Sequence, residues 1–123
     1  MRRTLRDIIQ HLDSAPVERA GFSRLAYTLL HEQHLQAEYC TGTLQPSTVD
    51  GRPPAEHIWL ECFGYIIDYR AKEHGFDDAL VGVFTYEEAL LNGYEYEGVE
   101  TKIKPLDKQV VTFLTAPTTA LFS

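Results

Sequence analysis

Apolar residues recur at helical spacing most clearly in the first third of this chain, and from there the pattern turns mainly to strand-like alternation. Leu5, Ile8, Ile9 and Leu12 mark one face of a short amphipathic helix over 4–12, with Thr4 at its cap and a break at Asp13-Ser14-Ala15-Pro16. A stronger helix follows, where Leu25, Ala26, Leu29 and Leu30 share a face and Gly21-Phe22-Ser23 stands at or near the start. Residues 37–44 read as a strand, and a loop containing Pro46, Gly51, Pro53 and Pro54 separates it from the next elements.

Residues 55–70 carry the most informative pattern. Two β-rich runs flank Phe63-Gly64, which predicts a hairpin with a two-residue loop. That loop length sets Cys62 opposite Tyr65 and Trp59 opposite Asp68. His57, Trp59, Glu61, Ile66, Asp68 and Arg70 then share one face, while Ile58, Leu60, Cys62, Ile67 and Tyr69 share the other. An imidazole diagonal to a carboxylate can be bridged by their side chains, and the carboxylate then fixes the ring's tautomer. An odd-length loop would separate the two.

Beyond the hairpin, 71–84 shows no sustained period and is expected to be a long ordered loop. Thr85 to Glu88 form a capping box that opens a short helix closed by Asn92-Gly93. Residues 94–104 alternate as an edge strand or small hairpin, 107–114 fit helix or strand with helix preferred, and 116–123 are expected to be a loosely ordered tail. Together these elements predict an α+β fold, in which N-terminal helices pack on an antiparallel sheet of four or five strands. One domain over 1–123 is expected, with 1–20 as its N-terminal helical part.

Composition narrows the function classes. An apolar share of 44% suits a globular domain, and a net charge of −7 argues against a nucleic-acid partner. Met1-Arg2-Arg3-Thr4 leads into further charged residues rather than an apolar run, so neither a signal peptide nor a membrane span is expected, and the cytoplasm is the expected location. Cys40 and Cys62 fall on predicted strands and are expected to be buried free thiols. His31, His34, Cys40, His57 and His74 do not form a recognisable metal-ligand pattern, and no metal or other cofactor is expected.

The order of a Gly-x-Ser helix start, a helix, a strand, His57-x-Trp59 and Ile67-Asp68 resembles the transglutaminase-like branch of the papain-like cysteine peptidases, of the small bacterial or phage type. The resemblance covers roughly 21–70. It implies a nucleophile–His–Asp triad with His57 as base and Asp68 as its orienting group, and it places Trp59 beside the substrate. The family's cysteine position holds Ser23 here, which leaves three readings open: a working alcohol nucleophile, a natural loss of activity, or an engineered replacement of a catalytic cysteine. The backbone amide of Ser23, at a helix start, would then serve an oxyanion site. Two functions follow: an acyl-transfer hydrolase of peptidase or amidase type acting on a protein or peptide, or a catalytically inactive phage- or plasmid-type protein that binds or inhibits a host protein complex.

Overall fold

The computed structural model describes residues 1–12 and 19–110. Its elements run α1 (Arg2–Ile9) with a 3-10 turn (Gln10–Leu12), α2 (Arg19–Glu32), β1 (Ala37–Pro46), β2 (Ala55–Cys62), β3 (Tyr65–Asp68), a 3-10 turn (Ala71–His74), β4 (Gly82–Phe84), α3 (Tyr86–Leu91) and β5 (Tyr94–Glu100). The five strands form one antiparallel sheet in the order β4-β3-β2-β1-β5. The fold is therefore α+β, with the helices distributed over two sheet faces.

The hairpin forms with the two-residue loop that its sequence predicts. Cys62 pairs with Tyr65, Glu61 with Ile66 and Leu60 with Ile67. Phe63 and Gly64 adopt φ of 53° and 81°, the left-handed pair that matches the twist of adjoining strands. Because side chains alternate, each face of β2 and β3 has its own core. On one, Phe22, Leu25, Ala26 and Leu30 of α2 pack with Tyr39, Leu60, Cys62 and Ile67, joined by Leu5, Ile9 and Leu12 from the N-terminal helix and turn. On the other, Cys40, Leu44, Trp59, Ile66, Phe76, Phe84, Ala89, Tyr94 and Tyr96 form a second, more aromatic core under α3 and the 71–81 segment.

Several expectations are corrected. Thr4 is not the cap of α1, which starts at Arg2 with Met1 before it. Gly21-Phe22-Ser23 lies near the start of α2 but inside it, because the helix already begins at Arg19. The 71–84 segment is no plain loop: it holds a 3-10 turn and the edge strand β4, whose Val83 pairs with Ile67. A three-residue strand is too short to show a period, so the sheet partner rather than the local pattern specifies it. Arg70 does not share the His57 face. β3 ends at Asp68, and beyond it the Arg70 guanidinium lies 4.2 Å over the Phe22 ring of α2.

Thr85 caps α3 with the full reciprocal box, accepting from Glu88 N while Glu88 Oε1 accepts from Thr85 N. Glu88 also accepts from Arg2 at 2.6 Å, tying α1 to α3 across the β4 edge. Residues 108–110 are helical, in keeping with the helix preferred there; the remainder of 107–114, the 116–123 tail and most of the 13–20 connection lie outside the described residues.

Candidate functional site

Asp68, the last residue of β3, is the hub of a buried polar network. Its Oδ1 accepts the Arg70 backbone N–H at 2.9 Å, and its Oδ2 accepts the Tyr96 hydroxyl at 2.5 Å and faces His57 Nε2 at 2.7 Å. The side chains of His57 and Asp68 are 0% and 2% exposed, so the pair lies out of water. Tyr96 is held well above the usual phenol range by burial first and the Asp68 charge second, so it remains a hydroxyl donor. With Asp68 accepting, His57 donates from Nε2 and, when neutral, accepts at Nδ1. There it meets His74 Nε2 at 2.8 Å. The result is a chain from a buried carboxylate through a buried imidazole to the half-buried His74 in the 71–74 turn.

The register explains why these residues meet. Trp59 stands opposite Asp68, so His57 is diagonal to the carboxylate across β2 and β3. Tyr96 reaches them from β5 on the far side of β1, which requires β1 to be low between them. Gly42 pairs with His57 on one side and Gly98 on the other, leaving space for the Trp59 ring, whose edge lies against Gly98. Tyr96 and His74 were not assigned to this site by sequence reasoning. The alternation of Tyr94 and Tyr96 was a usable signal for a shared inward face, whereas nothing local marks His74 as a neighbour of His57.

Ser23 does not join the pair. It is the fifth residue of α2, 5% exposed, on a helix that covers the Leu60 and Ile67 face, whereas His57, Trp59 and Asp68 face the opposite core. Both ring nitrogens of His57 are engaged, one by Asp68 and the other by His74. At its place in α2 the Ser23 amide lies past the first turn, where helical N–H groups bond to carbonyls four residues back, so the expected oxyanion donor is not available. Trp59 is 1% exposed and packs at 5.2 Å edge-on to Tyr96 and 6.2 Å from His57. It is a core residue here.

Both cysteines are buried and free. Cys40 Sγ and carboxylate oxygens of Glu38 and Glu61 lie within 4.8 Å of one another, a set of donors that a divalent cation could span. Burial, reinforced by the charges of Glu61, Glu38 and Glu100, pushes the Cys40 thiol up to about 12, which makes it a poor nucleophile at neutral pH. Glu61 also accepts from the Tyr86 hydroxyl. His57 and His74 do not join this cluster and bond to each other instead.

No family model matches the chain, and neither a curated protein nor a solved structure does. Among the described residues no helix is long and apolar enough to cross a membrane.

Proposed function

We propose that this chain is a non-hydrolytic binding domain for a protein or peptide, built on a transglutaminase-like arrangement of helix and hairpin. The observation that carries the reading is the separation of Ser23 and His57 onto opposite faces of β2. A nucleophile and its base must come within hydrogen-bond reach, directly or through one water, and a sheet cannot be crossed by side-chain rotation. In this reading the His57 and Asp68 pair joins β2, β3, β5 and the 71–74 turn as a structural lock. Exposed Val81, Leu90 and Leu91 on and near α3 supply apolar contact surface of the kind that binding proteins use.

The hydrogen-bond chain favours a second reading, a hydrolase of peptidase or amidase type in which His74 replaces Ser23 as the reacting group. His74 would take a proton from water at Nδ1 and pass its Nε2 proton to Nδ1 of His57, and Asp68 would stabilise the imidazolium formed there. The hydroxide so generated would attack an amide carbonyl, and as the tetrahedral intermediate collapses with cleavage of its C–N bond the proton would return from His57 through His74 to the leaving amine.

A fluorophosphonate probe on the parent protein, with amide and thioester turnover in the parent, Ser23→Cys and His74→Ala, separates these readings. We expect no labelling at Ser23 and no turnover in any of the three. Labelling of Ser23, or turnover gained in Ser23→Cys, would overturn the binding-only reading. Turnover by the parent that disappears in His74→Ala would establish the second.

A further inference from the structure

We infer that the outer edge of β5 is a docking site for an extended, basic segment of a partner protein, which would add a sixth strand to the sheet. The inference rests on the reading of the chain as a binding domain and names the surface involved. β5 pairs with β1 on one side and, among the described residues, with no strand on the other. Two hydrogen bonds fix which backbone groups point outward. Thr101 N donates to Tyr39 O at 2.7 Å, and Ser47 N donates to Gly93 O at 2.9 Å. With the pairing of Thr41 to Val99 and Thr43 to Glu97, these bonds place the odd-numbered residues of β5 in the hydrogen-bonded pairs with β1. Tyr96, Gly98 and Glu100 therefore turn their N–H and C=O groups away from the sheet. Residues 97–100 are all exposed, so the backbone there is accessible to another strand.

The side chains state what that strand should look like. Glu95, Glu97 and Val99 share one face, and Val99 is 69% exposed. Lys102 pairs with Glu100 at 2.9 Å, whereas Glu95 and Glu97 have no such partner among the described residues. A second copy of β5 laid antiparallel would set these glutamates against their own counterparts, and like charges directly opposite are destabilising. The charges that disfavour self-pairing select an oppositely charged strand, and the net charge of −7 attracts one at longer range. Antiparallel to β5, the partner places an apolar residue across from Val99 and basic residues across from Glu97 and Glu95. Read from its N-terminus, that pattern is apolar-x-Lys-x-Lys.

The test is fluorescence anisotropy with a labelled, blocked peptide TVTKTKT, against TVTETET as its charge-reversed control. Saturable binding of the lysine peptide is expected, weakening as salt rises, with none for the control. A Glu95→Lys/Glu97→Lys double variant should bind at least about tenfold more weakly. Glu100→Pro removes an outward N–H and no bond to β1, so it should lose binding while keeping the parent's circular dichroism spectrum and thermal midpoint. Amide exchange at Gly98 and Glu100 should slow when the peptide is present. No binding of the lysine peptide, or equal binding by a folded Glu100→Pro variant, would overturn the docking site. Fluorophosphonate treatment of the same samples keeps the two readings apart. Labelled Ser23 with peptide bound defeats the non-hydrolytic reading alone, and an unlabelled protein that ignores the peptide defeats the docking site alone.

Discussion

Asp68→Ala should destabilise the protein by about 3–5 kcal/mol, the order expected when a buried carboxylate that accepts three hydrogen bonds is removed and its donors are left unpaired. Asp68 faces three donors: the Arg70 backbone N–H, the Tyr96 hydroxyl and His57 Nε2. Alanine strands all three in a space too dry to hydrate them, since the His57 side chain is 0% exposed. Asp68→Asn should cost less. Its carbonyl oxygen can keep the Arg70 bond, and its amide can donate to His57 if the ring changes tautomer and donates to His74 from Nδ1. Urea denaturation of both variants measures the difference. A loss below about 1 kcal/mol in Asp68→Ala would show that the network does not lock the sheet.

Gly42→Ala is the second large effect, expected at about 3 kcal/mol or more, with a fall in thermal midpoint of roughly 10 °C. A methyl group there would overlap the Glu97 carbonyl oxygen and Gly98 Cα and stand 2.8 Å from the Glu97 carbonyl carbon. All three are backbone atoms of β5, so no side chain can move to make room. The strands must separate, which also draws Tyr96 away from Asp68. Gly98→Ala should behave alike, because its methyl would meet the Thr41 carbonyl and come within 2.6 Å of the buried Trp59 ring. Gly51 is the control. It has φ of +88° and no atom within 4 Å, so alanine there costs only its left-handed backbone, about 1–2 kcal/mol. Equal midpoints for the Gly42 and Gly51 variants would refute the close-approach account.

The hairpin was readable because its information is local. Two β-rich runs over 55–62 and 65–68 with two residues between them set one register, and from it the diagonal of His57 and Asp68 follows. The α3 capping box was readable for the same reason, since its donors and acceptors lie three residues apart. The helix bearing Ser23 was located correctly in outline, but its start was misplaced by the glycine at position 21. No side-chain pattern marks Arg19 as the first helical residue, and propensity alone places helix ends poorly.

Which face each helix covers was not legible in the same way. Both faces of the hairpin are rich in apolar residues, Leu60, Cys62 and Ile67 on one and Trp59 and Ile66 on the other, so either could receive α2 by composition. The sequence by itself determined an α+β chain, the hairpin register, the capped short helix and the nearness of an imidazole to a carboxylate. The tertiary structure alone decided that α2 lies across the sheet from that pair. It also decided that Tyr96 and His74, 28 and 6 residues from Asp68, complete its network. Periodicity assigns residues to a face, but the choice between two apolar faces depends on contacts between segments far apart in the chain. Only the packed whole contains those contacts.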